Sequence, residues 1–199
     1  VRAGTRRSSD YQEHSEAMFL TSSFCFNSAE EAEHGFANAD QGFIYSRFTN
    51  PTVSMFQDRL AALEGGEACI ATASGMAAIT TAYSILPWGA RVVASHEGYS
   101  GVMTLLKQYG ESGRLKVVFV DVANTEAVLA ALPGTDLLWL ESPTNPCLDV
   151  AELPQLISAA KAANILVMVD NTFATALTQR PLEMGADVVM NSVTKFLSG

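Results

Sequence analysis

Ile165-Leu166-Val167-Met168-Val169-Asp170-Asn171 is the stretch that decides the fold. An uninterrupted apolar run ends abruptly in an acid and an amide. A strand wet on one face alternates apolar and polar residues, whereas a continuous apolar run is covered on both faces, as in a parallel sheet between helices. Strand-like runs recur on either side, at 68–73, 91–95, 116–122, 137–141 and 187–191, with 165–170 among them. Between them apolar residues fall at helical spacing over 75–86, 100–109, 125–132 and 152–163. This alternation predicts an α/β fold, a mostly parallel sheet between helices joined by right-handed crossovers. Upstream, Asn50-Pro51-Thr52 opens a helix with Val53, Phe56, Leu60 and Leu63 on its apolar side, stopped by Gly65-Gly66. Residues 1–49 read as an irregular arm. It has a polar cluster at 5–10, an apolar patch at 18–26 interleaved with Ser and Thr, and an acidic, Ala-rich short helix at 29–36. The organisation is therefore an arm, 1–49, and a sheet domain, 50–199.

Composition narrows the function classes. The chain has 199 residues, 48% hydrophobic and 17% charged, enough apolar material for a core and too much for a disordered protein. Its net charge of −9, with no basic cluster, excludes nucleic acid and anionic membrane surfaces as expected partners. No apolar run reaches the roughly 18 residues that a membrane span needs. Cys25, Cys69 and Cys147 are far apart, which argues against a disulfide scaffold and suits a reducing cytoplasm. The text stops at Gly199 directly after an apolar run, and a piece of a longer chain is expected.

In open parallel sheets ligands collect at the carboxyl ends of the strands. Ala73-Ser74-Gly75-Met76-Ala77-Ala78 puts small residues before a helix whose free N–H groups suit an anion. An ordinary tight turn reads the same way. Asp170 follows an apolar run and would need a cationic or protonated partner, although Asp also closes loops routinely. Ser192-Val193-Thr194-Lys195 sets two hydroxyls beside a lysine just past Val188-Val189-Met190. Such a lysine either uses its charge or reaches to the surface; its amine can form a Schiff base. Glu141-Ser142-Pro143-Thr144-Asn145-Pro146 forms a rigid loop in which either X-Pro bond could be cis. Tyr99, on the Gly98–Gly101 loop, is placed to stack on a planar ligand or to sit on the surface. One molecule would answer to an anion cradle, an aromatic plane, a carboxylate for a ring cation and a lysine for an aldehyde: pyridoxal 5′-phosphate (PLP).

Five ordered motifs also carry a resemblance. They are Tyr45-Ser46-Arg47-Phe48-Thr49-Asn50-Pro51-Thr52, the 73–78 and 141–146 segments, Val169-Asp170-Asn171-Thr172-Phe173, and Ser192-Val193-Thr194-Lys195-Phe196. Over essentially the whole chain they resemble the Cys/Met-metabolism PLP enzymes, which have the aspartate-aminotransferase-like fold. The resemblance implies that Lys195 carries the cofactor as a Schiff base and that Asp170 pairs with the pyridine nitrogen. Ser74, Gly75 and Met76, with the hydroxyls of Ser192 and Thr194, would hold the phosphate. Tyr99 would stack on the ring and assist proton transfer. Asn145 would lie near the 3′ oxygen, supported by Glu141. Tyr45 and Arg47 would reach the phosphate of a neighbouring subunit. The resemblance further implies small amino-acid substrates, no metal, and a homo-oligomer, a dimer of dimers, with sites shared between subunits. Family members continue past the lysine with a domain that binds the substrate α-carboxylate, so these residues would be the N-terminal part, inactive alone.

The member is narrowed by local text. Residues 2–7 and 13–24 look most like O-succinylhomoserine sulfhydrylases, which replace the succinyloxy group with sulfide to give homocysteine in methionine biosynthesis. His96-Glu97-Gly98-Tyr99 and Val118-Phe119-Val120-Asp121 look more like cystathionine γ-synthase, which uses cysteine. One departure bears on a third possibility. The family usually has Gly after the stacking tyrosine, and methionine γ-lyases have Cys two residues after it. Here the text is Tyr99-Ser100-Gly101, which lowers the lyase reading.

Overall fold

The computed structural model describes residues 10–11, 13–39 and 42–199; residues 2–7 and most of the polar cluster at 5–10 lie outside them. The chain divides into two compact units, Val1–Ala71 and Thr72–Gly199.

In the first unit, α1 (Ala29–Ala37) begins where Ser28 Oγ accepts the Glu31 N–H. The change from irregular chain to long helix falls at Asn50. Its side chain caps α2 (Pro51–Glu64) by accepting the Thr52 N–H at 2.9 Å, with Pro51 in the first turn. The Asn50 amide also donates to Phe19 O at 3.0 Å and Ser46 Oγ at 2.9 Å, tying the arm to the start of the helix. The helix stops at Gly65, whose φ of 75° is a left-handed cap that glycine adopts without strain. Among the unit's described hydrophobic residues only Ile44 and Met55 are buried, so the arm has little core of its own.

The second unit is a five-stranded parallel sheet: β1 (Ala90–Ser95), β2 (Leu115–Val120), β3 (Leu137–Glu141), β4 (Leu166–Asp170) and β5 (Val188–Met190), in the order β2-β1-β3-β4-β5. Helices α3 (Gly75–Ser84), α4 (Ser100–Glu111), α5 (Thr125–Ala131), α6 (Leu153–Ala162) and the single turn α7 (Thr175–Thr178) intervene, and a 3₁₀ turn closes at Phe196–Ser198. Strand alternation explains the apolar runs. Leu137, Trp139 and Met168 pack with Ile79 and Tyr83 of α3 and Leu106 of α4. Leu138, Leu140, Val167 and Val169 pack on the opposite face with Val128 of α5 and Leu156 and Ile157 of α6. Both faces are dry, and each fully buried aliphatic side chain contributes about 1.5–3 kcal/mol.

One expected strand is absent. Residues 68–73 form no ladder; the Gln57 amide takes the Cys69 carbonyl at 2.5 Å, and Ile70 is exposed. Small and β-branched residues there satisfy the strand pattern, but a strand exists only where its backbone finds a partner. From β1 the chain steps outward to β2 and then returns past β1 to β3, so the strand order reverses between β1 and β3. The crevice at such a reversal is where parallel sheets bind ligands. Among the described residues no helix is long and apolar enough to cross a membrane.

Candidate active site

The ends of β1, β3, β4 and β5 and the start of α3 converge on one cavity of about 250 Å³. Beyond β1, the Tyr99 N–H donates to Glu141 Oε2 at 2.9 Å, which draws the loop onto the end of β3. Only glycine fits at 98, because a Cβ there would stand 2.7 Å from the same oxygen. The Tyr99 ring lies against Gly101, where a Cβ would meet Cε1 of the ring at 2.7 Å and Met76 Sδ at 2.9 Å.

Beyond β3, Glu141 Oε1 accepts the Asn145 N–H at 3.0 Å, so one carboxylate holds both the Tyr99 loop and the Asn145 loop. Ser142-Pro143 and Asn145-Pro146 are both cis. Glu141 and Asp170 are register partners at the ends of β3 and β4, and both are buried. Burial pushes Glu141 up to about 7, reinforced by the Asp170 charge and only partly opposed by the two N–H donors. Burial also raises Asp170, while the Thr172 hydroxyl, the Thr172 N–H and the Lys195 charge pull it back.

Beyond β5, the Ser192 N–H donates to Thr172 Oγ1 at 2.9 Å. Ser192 lies directly over the start of α3: a Cβ on Gly75 would meet Ser192 Cβ at 3.0 Å and Oγ at 3.1 Å. Ser74 Oγ caps this helix by accepting the Ala77 N–H, which leaves the Gly75 and Met76 N–H groups outside its ladder. Lys195 Nζ donates to Ser192 Oγ at 3.1 Å and to Thr194 Oγ1 at 3.4 Å. The lysine is exposed and its near neighbours are hydroxyls, so the apolar company suggested by Val188–Met190 ends with the strand.

All the candidates of the second unit line this cavity: Ser74, Gly75 and Met76 at the helix start, Tyr99, Glu141 and Asn145 on one side, and Asp170, Ser192, Thr194 and Lys195 on the other. Tyr45 and Arg47 belong to the first unit. There the exposed Arg47 guanidinium lies 5.0 Å from the Tyr45 ring centroid and 5.3 Å from that of Phe48. Sequence reasoning assigned nothing to Thr172, Phe173, Pro143 or Met190, which also line the cavity. Thr172 and Phe173 stood inside a quoted motif, but only strand register shows what they touch. Outside the cavity, Glu97, Cys147 and Asp149 bring donor atoms within 4.8 Å of one another. Hydrogen bonds to Glu97 push the Cys147 thiol and the Asp149 carboxyl up.

The model of the Cys/Met metabolism PLP-dependent enzymes matches residues 1–199. The chain is 41% identical over 201 residues to an O-succinylhomoserine sulfhydrylase of Pseudomonas aeruginosa, covering 100% of this chain and 50% of that protein. It is 41% identical over 185 residues to an L-methionine gamma-lyase of Fusobacterium nucleatum subsp. polymorphum, covering 92% and 47%. The crystal structure of a cystathionine gamma synthase from Xanthomonas oryzae pv. oryzae, in complex with aminoacrylate and cysteine, matches with a TM-score of 0.89 and 31% identity over 100% of this chain and 50% of that one. The chain thus spans about half the length of the curated relatives it matches. A sheet with these strand ends and a match along its whole length place the chain in the Cys/Met metabolism family of PLP-dependent enzymes.

Proposed function

We propose that the protein replaces the γ-acyloxy group of an O-acylated homoserine, O-succinylhomoserine in the first instance, with sulfide, giving homocysteine and releasing the carboxylate. The observation that carries the site is the convergence of the Lys195 amine, bonded to Ser192 and Thr194, with the α3 start and the buried Asp170 on one cavity. The residues fit PLP. Ser192 packed on Gly75 brings a hydroxyl against free helix N–H groups, which suits a phosphate. Asp170 is a buried carboxylate whose anion is favoured by the Thr172 donors and the Lys195 charge, which suits a ring nitrogen that holds a proton. When bound, PLP supplies a conjugated ring that takes up the charge left as bonds to the substrate α-carbon break.

The chain's own groups do the rest. Gly75 and Met76 N–H, with Ser192 and Thr194 hydroxyls, would hold the phosphate of bound PLP. Asp170 would favour a proton on the ring nitrogen. Tyr99 would cover the ring, and Asn145 would lie near its 3′ oxygen. The Lys195 amine, once free, moves protons at the substrate α- and β-carbons as general base and then acid. Arg47, its planar fork stacked on Tyr45 and Phe48, serves the phosphate site of a neighbouring subunit in a homo-oligomer. Free thiols at Cys25, Cys69 and Cys147 support a cytoplasmic setting.

Gly101 lowers the methionine γ-lyase reading, because those enzymes carry a cysteine at the matching position. The second reading is cystathionine γ-synthase, favoured by the 96–99 text and the likeness to that enzyme's structure. The complete polypeptide, given O-succinyl- or O-acetylhomoserine with sulfide or cysteine, tests these readings. Homocysteine from sulfide is expected, cystathionine from cysteine would transfer the assignment, and turnover of neither ester would refute both.

A further inference from the structure

Thr172 touches both halves of the cavity. Its N–H donates to Asp170 Oδ1 at 3.0 Å, and its Oγ1 accepts the Ser192 N–H at 2.9 Å. A hydroxyl has one proton and two lone pairs. With Ser192 on the oxygen, the Thr172 proton is left to donate, and the hydroxyl favours the charged form of Asp170 beside it, whose Oδ1 already accepts the Thr172 N–H. Asp170 is 5% exposed, so both bonds are shielded from water.

The register shows why a side chain is needed. The β4–β5 pairing ends at Asp170 and Met190, and the Asn171 N–H donates to Met190 O at 2.8 Å. The following donor, Ser192 N–H, finds the Thr172 hydroxyl rather than a carbonyl. The side chain thus prolongs the ladder past the strand ends, and its β-branch stiffens the rotamer that does so. The turn that starts at Ser192 carries Thr194 and Lys195.

We propose that Thr172 is a positioning residue of the cofactor site: its hydroxyl holds Asp170 as the anion at the ring-nitrogen end and fixes Ser192, and with it the Lys195 turn, against that carboxylate. The inference rests on the assignment of Asp170 and Lys195 to PLP. A carboxylate that loses this donor in a buried setting takes up its own proton more readily. It then no longer matches a cationic ring.

The complete polypeptide is compared with Thr172→Val, which keeps the shape and loses the hydroxyl, and with Thr172→Ser, which restores it. Apo-protein is titrated with PLP at pH 8 and the visible absorbance followed; the loaded protein is then acidified and cofactor loss recorded. Thr172→Val should bind PLP about tenfold more weakly or worse, the scale of a lost hydrogen bond to a charged group. It should also lose cofactor at a higher pH, while Thr172→Ser stays within about twofold of wild type on the same scale. Wild-type affinity and pH profile in Thr172→Val, or equal damage in Thr172→Ser, overturns the inference. Should Thr172→Val fail to fold, Thr172→Cys, a poor acceptor and weak donor, should show the same shift in smaller measure, and a wild-type profile there overturns it equally. A wild-type protein that takes up no PLP overturns the site assignment itself, and this inference with it.

Discussion

Glu141→Gln should abolish a specific part of the protein's pH-dependent stability. In the folded chain this carboxyl rises from the ordinary 4.5 to about 7, chiefly because β3 buries it and Asp170 stands beside it. At about 1.36 kcal/mol per pH unit, the folded chain binds that proton about 3 kcal/mol more tightly than the unfolded chain does. The group's folded value lies above its unfolded value. Its stabilisation is therefore complete below about pH 4.5 and is lost as pH rises through about 7. Glutamine cannot ionise. It keeps one oxygen for either the Tyr99 or the Asn145 N–H and turns its own NH₂ towards the other, at a constant cost of about 1–3 kcal/mol. The variant should thus be less stable than wild type at pH 4.5 and recover up to about 3 kcal/mol of that deficit by pH 8. Urea denaturation of the complete apo-protein and the variant, at intervals across this range, measures the difference. Asp170 titrates in both proteins, so most of its contribution cancels. Parallel stability curves would show that Glu141 does not hold its proton in the fold, and the account of the two-loop clamp would fall.

Other perturbations follow from the same geometry. Lys195→Ala should leave no borohydride-reducible cofactor linkage and cost about 10²–10⁴-fold in turnover from the lost proton transfers alone; a reducible linkage at another residue refutes the assignment. Asp170→Ala should slow turnover about a hundredfold even at saturating PLP, and a near-normal rate would remove its electrostatic role. Gly98→Ala sets a Cβ 2.7 Å from a carboxylate oxygen anchored by two N–H groups. It should cost about 1–3 kcal/mol in thermal or denaturant unfolding, and an unchanged melting temperature counts against the close approach. Arg47→Ala and Lys195→Ala subunits, each inactive, should regain activity on mixing, because a hybrid dimer rebuilds one intact site; demonstrated hybrids without activity would rule out a shared site.

How far the sequence was legible depends on what each segment needed. Runs such as 165–170 declared themselves because two dry faces force continuous apolar text, and their boundaries moved by one or two residues only. Residues 68–73 misled because strand propensity says nothing about whether a neighbouring backbone is available. The short helix Thr175–Thr178 left no periodicity to read. Within the site, motif order named the residues that line the cavity. It could not show that Thr172 joins Asp170 to Ser192, a contact between positions 20 residues apart that exists only once β4 and β5 are in register. Lys195 was singled out by its apolar predecessors, yet what surrounds its amine in space is a pair of hydroxyls.

The adjacent carboxyls show why the site sits where it does. Glu141 and Asp170 end neighbouring strands and are both buried, so two full charges side by side would be costly. Their surroundings divide the roles. Burial beside Asp170 raises Glu141 to about 7 against the pull of its two backbone N–H donors, so near neutral pH it exchanges its proton while still gripping both loops. Burial raises Asp170 as well, but a hydroxyl, an N–H and the charge of Lys195 all pull it back towards its anion. On the proposed reading the carboxyl with a cation in reach is the one that would face a cationic ring; its neighbour joins the Tyr99 and Asn145 loops. Exchanging these surroundings, and not merely either acid, would undo the site. On the proposed reading Thr172, which brings no charge of its own, therefore joins Lys195 in deciding which acid stays ionised.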